Sequence, residues 1–162
     1  MADLSIRAAA ALDRAYLKNQ LIRHFAATRV VSRGRLHECL ELQGFIAEIH
    51  GQAAGLCQYD VQGGAMEIVT LISSRYGYGV GPRLLDHAVQ HARHNGVTRL
   101  WLITTNDNLK AIRFYQRHGW QQVAVHKGAV AEARKLKPEI PLQNNQGCAI
   151  DDELEFEYPL AV

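Results

Sequence analysis

The chain has 162 residues, the size of one ordinary domain, and we expect a single domain over residues 1–162. Hydrophobic residues make up 48% and charged residues 21%, which excludes a disordered chain and predicts a packed core. The formal net charge is only +2, from 18 Lys and Arg against 16 Asp and Glu, so nucleic acid is not a favoured partner.

The cysteines also limit the class of protein. Cys39, Cys57 and Cys148 are odd in number and widely spaced, which matches neither a disulfide framework nor a zinc site, and we expect no metal. Charged residues interrupt each apolar stretch that approaches the length of a signal peptide or a membrane span. These features predict a cytoplasmic protein with reduced thiols and no membrane partner.

The N-terminal part of the chain predicts a strand over residues 5–9, followed by a helix over 12–24 with apolar residues near helical spacing. Residues 27–34 have no clear period, and we expect an irregular segment there. Two stretches of alternating polarity, 44–50 and 53–61, predict a β-hairpin.

The next stretch, from Met66 to Ser73, is apolar almost throughout, which is typical of a strand that is buried on both faces and lies centrally in a sheet. Strands and helices then alternate along the chain. We expect a helix from residue 80 that Asn95-Gly96 ends, helices over 109–118 and 130–136, and strands over 99–105, 120–125 and 154–158.

A glycine-rich turn, Tyr76-Gly77-Tyr78-Gly79-Val80-Gly81-Pro82, lies between the buried strand and the helix that follows it. Amide N–H groups converge at the N-terminus of a helix, and glycines let a phosphate approach the backbone without meeting a Cβ atom. The turn therefore favours a diphosphate ligand. From glycines alone, a turn with no ligand is the better interpretation, so the context has to decide.

Two nucleotide-binding alternatives fit this turn less well. A Walker loop needs Lys and then Ser or Thr after the last glycine, but Pro82 and Arg83 follow Gly81. A dinucleotide fold needs an acidic residue at the end of the next strand, where this chain has Thr104-Thr105-Asn106.

Four segments in a fixed order carry a family resemblance. They are Glu67-Ile68-Val69-Thr70-Leu71, the glycine turn, Asn108-Leu109-Lys110-Ala111, and Arg113-Phe114-Tyr115-Gln116-Arg117-His118-Gly119-Trp120. In this combination the chain resembles the GNAT superfamily of N-acetyltransferases, most strongly over residues 44–125. The resemblance implies a mixed α/β fold, in which helices flank a sheet that is splayed near its middle, and acetyl-CoA as cosubstrate.

The resemblance also implies a set of cofactor-binding residues. The diphosphate of CoA would rest on the turn, and backbone groups of two strand residues, with the side chain of an asparagine, would bind pantetheine. Tyr76 departs from the family pattern, which has Gln or Arg at that position. The implied residues are Tyr76, Gly77, Tyr78, Gly79, Val80 and Gly81 in the turn, Val69 and Leu71 in the strand, and Asn108 after the next strand.

Tyr115 matches the family's tyrosine near the CoA sulfur, where a hydroxyl can protonate the departing thiolate; its other role would be core packing. Glu67 is a lone carboxylate in an apolar strand, and the resemblance permits it to act as a base through water. A salt bridge to Arg or Lys, or a solvent-facing position, explains Glu67 equally well. Asn108 could also simply cap the helix that follows it. The histidines form no metal or nucleophile pattern, and we expect most of them in surface or packing roles.

The function implied is transfer of an acetyl group from acetyl-CoA to an amine, on a small molecule or a peptide, by direct attack in a ternary complex. Two other classes stay open. One is a catalytically silent module that binds acyl-CoA, and the other is a regulator that binds a nucleotide on the same turn. The apolar residues Leu154, Phe156 and Tyr158 could form the face of a homodimer.

Overall fold

The computed structural model describes residues 3–160, which form a mixed α/β fold. The strands in chain order are β1 (Leu4–Ala8), β2 (Arg29–Ser32), β3 (Arg35–Glu38), β4 (Gln43–Ile49), β5 (Gln52–Gln62), β6 (Ala65–Ser73), β7 (Arg99–Thr105), β8 (Gln121–His126) and β9 (Glu153–Tyr158). The helices are α1 (Arg14–Phe25), α2 (Val80–His94), α3 (Leu109–Arg117) and α4 (Ala129–Leu136).

Seven of the strands form one sheet in the order β1-β4-β5-β6-β7-β9-β8. Every neighbouring pair in this sheet is antiparallel except β6 and β7, which are parallel. The apolar strand β6 is the fourth of the seven, so its predicted central position is confirmed.

The sheet opens between β6 and β7. These two strands pair only from Ala65 with Arg99 to Ile68 with Leu102. Beyond that point, β6 continues to Ser73 beside β5 and β7 continues to Thr105 beside β9, each without the other. A β-bulge leaves Val69 without a register partner in β5, and a bulge bends the strand at the point where the gap begins. We call this gap, between residues 69–73 and 103–105, the splay; the predicted splayed sheet is confirmed.

The two faces of the sheet bury separate apolar clusters. Successive residues of a strand point to opposite faces, so Phe45 packs in one cluster and its neighbour Ile46 in the other. The larger cluster includes Leu84 and Ala88 of α2, and the smaller one includes Leu17 of α1. Helices α1 and α2 therefore cover opposite faces.

Helix α2 lies very close to β5 because the contact residue of the strand is a glycine. A Cβ atom on Gly55 would come within 2.5 Å of Val80 Cγ1 and 2.7 Å of the Ile72 carbonyl oxygen. Since Val80 is the first residue of α2, this contact fixes the start of the helix, and with it the glycine turn, against the sheet.

Residues 27–34 differ from the expectation of an irregular segment. They contain β2, which pairs with β3 in a two-stranded sheet separate from the main one. Arg33 and Gly34, at φ of 50° and 77°, form the two-residue turn between them. The strands are only four residues long, too short for a period to be visible in the sequence.

The proposed dimer face also needs correction. Leu154 and Phe156 are buried in the main core, and Tyr158 packs against the same cluster. Their alternation marks the inner face of β9, so these side chains are not available to a second subunit. Of the helices within residues 3–160, none is both long and apolar enough to cross a bilayer.

Gly55→Ala should lower the free energy of unfolding by about 3 kcal/mol, the upper part of the usual cost of overpacking a core. The matched control is Gly147→Ala, where φ is +81° but a new Cβ meets open space, and only backbone strain of about 1 kcal/mol is expected. Urea denaturation measures both. Equal losses of unfolding free energy in the two variants would show that the close contact between α2 and β5 leaves room for a Cβ atom at residue 55.

Candidate functional site

A cavity of about 500 Å³ lies at the splay, and we call it the inner cavity. Its floor includes Glu67 and Val69 of β6 and residues 103–105 of β7. Its walls come from the C-terminal end of α1, from β2, from α4 and from the segment between α4 and β9. The volume falls in the range of pockets that bind small molecules.

The glycine turn, residues 76–81, borders α2 at its N-terminus. Gly77 and Gly79 adopt φ of 82° and 72°, and Gly79 caps the helix. Within residues 3–160, the six amides from Tyr76 to Gly81 donate no hydrogen bond, and the next donor is Arg83 N–H, 3.2 Å from Gly79 O. A run of free amides at a helix N-terminus is chemically suited to bind a phosphate group.

Two cations flank the glycine turn. The guanidinium of Arg75 lies 5.0 Å from the centre of the Tyr78 ring, and Lys110 Nζ lies 5.5 Å from the centre of the Tyr76 ring. Tyr76 itself is 76% exposed and brings no charge. Lys110 therefore supplies, from the first turn of α3, positive charge that Tyr76 lacks.

A second cavity of about 520 Å³, the outer cavity, lies along α3. Its lining includes three cations spaced on one side of the helix, Lys110, Arg113 and Arg117. Asp107 and Asn108 line both cavities, so the two are adjacent.

Asn108 caps α3: its Oδ1 accepts a hydrogen bond from Ala111 N–H at 3.2 Å. The capping role considered from the sequence is thus present. Asn108 also borders the inner cavity, and its side-chain NH₂ group has no hydrogen-bond partner within the described residues. The two N–H groups of the Asn108 side chain are therefore free to donate hydrogen bonds to a ligand.

Tyr115 packs against the core beside Trp120 and Phe156, with ring centres 5.9 and 6.1 Å away. Its hydroxyl makes no hydrogen bond to the part of the chain that the structure describes. Burial of this hydroxyl raises the pKa of Tyr115 well above its usual value, and the nearby Cys57 adds to the shift. Since Cys57 pairs with Leu71 in the sheet, Tyr115 lies beside the part of β6 that borders the splay.

Glu67 is buried beside a histidine. Its Oε1 lies 3.3 Å from His37 Nε2, and both side chains are almost fully enclosed, 7% and 2% exposed. The partner is neither Arg nor Lys, and the position does not face solvent, so both structural explanations offered from the sequence were wrong. His37 is a buried histidine beside a carboxylate, and the expectation made for most of the histidines concerned surface or packing roles.

A buried hydrogen-bond chain holds His37 in place. Thr70 Oγ1 donates to Gln58 Oε1 at 3.0 Å, and Gln58 Nε2 donates to the Cys39 carbonyl at 2.6 Å. The chain thereby ties the segment after β3 to the centre of the main sheet. His37, at the end of β3, is brought to Glu67 by this attachment.

Sequence reasoning missed three charged or titratable residues of the site. Lys110 stood inside a quoted motif, and its helical position two residues after Asn108 was the signal for it. His37 and Lys137 carry no local signal, because tertiary packing alone places His37 beside Glu67 and Lys137 in the wall of the inner cavity. No cluster of three or more His, Cys, Asp or Glu side chains that could hold a metal ion occurs among the described residues.

Comparison with known proteins decides the family. The model of the acetyltransferase (GNAT) family matches residues 12–120, which include the glycine turn, the splay, Asn108 and Tyr115. The chain belongs to the GNAT family of acetyltransferases. The resemblance stated from the sequence is thereby confirmed.

Individual GNAT relatives agree with this assignment. A Bacillus subtilis protein named as the uncharacterized protein YdhI is 39% identical over 135 residues, which cover 83% of this chain and 84% of the relative. A B. subtilis acetyltransferase solved in complex with CoA aligns with a TM-score of 0.76 at 16% identity, over 98% of this chain and 100% of that one. The ribosomal-protein-S18-alanine N-acetyltransferase of Escherichia coli aligns with a TM-score of 0.72 at 17% identity, over 98% and 95%. At these identities the two structures show the shared fold.

Proposed function

We propose that this GNAT protein transfers the acetyl group of acetyl-CoA to an amine by direct attack in a ternary complex. The observation that carries the proposal is the run of six free amides in the glycine turn, at the mouth of a splay that opens into the inner cavity. A structural neighbour with the same fold was solved with CoA, and another is named as an N-acetyltransferase.

The donor would lie across the two cavities. Its diphosphate would accept hydrogen bonds from the amides of residues 76–81, with Lys110 and Arg75 adding charge. Its pantetheine arm would enter the splay along Val69 and Leu71, whose edge of β6 has no β7 partner, and would accept a hydrogen bond from Asn108. The cations of the outer cavity would attract the remaining phosphate of the nucleotide.

The acetyl group would then meet the acceptor amine in the inner cavity. Glu67 takes a proton from the ammonium, through water, and the free amine attacks the carbonyl carbon of the thioester. The Leu71 N–H stabilises the tetrahedral oxyanion. As the oxyanion collapses, the C–S bond breaks and Tyr115 gives its proton to the CoA thiolate. The proton that remains in excess on the former amine nitrogen passes through water to the Tyr115 phenolate, which leaves a neutral amide and restores the tyrosine.

A covalent acetyl-enzyme finds no support at Cys57, the cysteine near Tyr115. Cys57 is fully buried, and burial raises the pKa of its thiol to about 12, so almost none of it is thiolate at neutral pH. Direct transfer needs no such nucleophile.

The proposal is tested by calorimetry with CoA, ATP and NAD, and by release of free CoA thiol from acetyl-CoA in a screen of amines. Binding of CoA alone, with thiol release that depends on an amine, is the expected result. CoA binding without transfer to any amine would identify a silent acyl-CoA-binding module. Binding of ATP or NAD in preference to CoA would identify a nucleotide-binding regulator.

Gly79→Ala should weaken acetyl-CoA binding at least tenfold, because φ of +72° strains any residue with a Cβ and the new methyl group enters the space left for the diphosphate. Gly63→Ala is the matched control: φ there is +60°, the surroundings are equally open, and the turn joins β5 to β6 away from the site. Isothermal calorimetry compares the two. Equal affinities in both variants would place the diphosphate elsewhere.

Glu67→Gln should lower kcat by about 10²- to 10⁴-fold, the usual contribution of a general base, while the affinity for acetyl-CoA stays unchanged. Glu48→Gln serves as control, since Glu48 lies on β4 and pairs with Arg7 at 3.3 Å outside both cavities. The parental kcat in a folded Glu67→Gln variant would remove the carboxylate from the mechanism.

Tyr115→Phe should lower kcat by about 10- to 100-fold with little change in melting temperature, because the hydroxyl that is lost has no protein partner. Tyr59→Phe is the control and should lose stability without losing turnover. The Tyr59 hydroxyl donates to Gln43 Oε1 at 2.8 Å, so the variant should lose about 1 kcal/mol of stability and keep its kcat. Normal turnover in a stable Tyr115→Phe variant would reject the acid role.

A further inference from the structure

The inner cavity carries opposite charges at two places. Glu67 lies on its floor in β6, and Lys137, the residue after α4, lies in its wall. Both act on the pKa of the Cys39 thiol, in opposite directions, which places the two charges around the same buried residue. Apolar side chains of the cavity include Phe25, Val30 and Ile140.

Lys137 is a buried cation without a carboxylate partner. It is 5% exposed, and its ammonium donates to the Phe25 carbonyl oxygen at 2.8 Å. No carboxylate of the described residues lies within 4 Å of it. The nearby Glu139 carboxylate pairs with Arg29 at 3.4 Å. Burial lowers the pKa of the Lys137 ammonium below its usual value.

A buried ammonium normally has a counter-ion, since removing it from water is costly. An ammonium has three N–H donors, and the Phe25 carbonyl takes one, which leaves two donors for a ligand. Ser32 supplies a second buried polar group that is free to bind a ligand. Its side chain is buried in the cavity lining, and its Oγ has no hydrogen-bond partner within residues 3–160. The Glu153 carboxylate nearby is already paired with Arg33 at 3.2 Å.

We propose that the acceptor is a small molecule that carries both an amine and a carboxylate, as a free amino acid does. The inference rests on the proposed function and names its substrate class. The acceptor's carboxylate accepts hydrogen bonds from Lys137 and Ser32, its amine lies towards Glu67, and its apolar part contacts Phe25 and Val30. Lys137 lies outside the stretch that matches the GNAT family model, residues 12–120. Recognition of the acceptor's carboxylate by Lys137 is therefore a feature of this chain that the family match does not include.

The experiment is a thiol-release assay with a panel of amino acids, each paired with the amine that results from its decarboxylation. Polyamines and a lysine-containing peptide are added as acceptors of other classes. At least one amino acid should exceed its paired amine by tenfold or more in kcat/KM. The preferred amino acid should also exceed the polyamines and the peptide in kcat/KM.

Lys137→Met keeps the length of the side chain and removes the charge. It should raise KM at least tenfold for the preferred amino acid and leave KM for the paired amine unchanged. Lys135→Met is the matched control, since Lys135 lies two residues earlier in the last turn of α4, its side chain is 72% exposed and it pairs with Glu132. If Lys137→Met does not fold, Lys137→Arg, which keeps the cation, and the preference of the parent protein still test the inference.

Three results would overturn the inference and leave the proposed function standing: equal or better transfer to the paired amines, transfer to polyamines or the peptide alone, or the same KM increase for acid and amine in Lys137→Met. If no amine of any class is acetylated, the proposed function and the inference about the acceptor both fail.

Discussion

The functional part of this molecule depends on one interruption of backbone hydrogen bonding. β6 and β7 pair over four residues and then separate, which leaves polar backbone groups on both strands without the partners that a continuous sheet would supply. Such groups need water or a ligand. The bulge at Val69, the glycine turn that follows β6 and the Asn108 cap after β7 all lie near this separation. A single opening in the sheet therefore brings together the proposed donor site and the proposed acceptor cavity.

The donor side of the site could be predicted from sequence because its parts are local. A glycine turn between a buried strand and a helix needs only adjacent residues, and the Asn108 cap and Tyr115 fall on a single helix. Residues in one element keep fixed spacings whatever the rest of the fold does. The main strands and helices could be predicted for the same reason, because each is long enough for its hydrophobic period to be visible. The two strands of the β2–β3 hairpin have only four residues each and are too short to show a period.

The acceptor side could not be predicted, since it is assembled from segments far apart in the chain. His37 of β3 lies beside Glu67 of β6, and the segment after β3 is tied to the main sheet by the hydrogen bond from Gln58 to the Cys39 carbonyl. Lys137 reaches the inner cavity by donating to Phe25, 112 residues earlier. No spacing rule in a single sequence encodes such contacts. A buried carboxylate in an apolar strand signals that a partner exists but does not say which residue it is.

The β2–β3 hairpin also has a consequence for motion. It belongs to no larger sheet, and two-stranded hairpins are marginally stable by themselves. It is held to the rest of the protein by side-chain contacts such as Arg33 with Glu153 and Gln58 with the Cys39 carbonyl. We expect such an element to open locally at a free energy below that of global unfolding, so its amides should exchange hydrogen faster than those of β5 and β6. This part of the wall of the inner cavity would then open while the sheet beneath it stays folded.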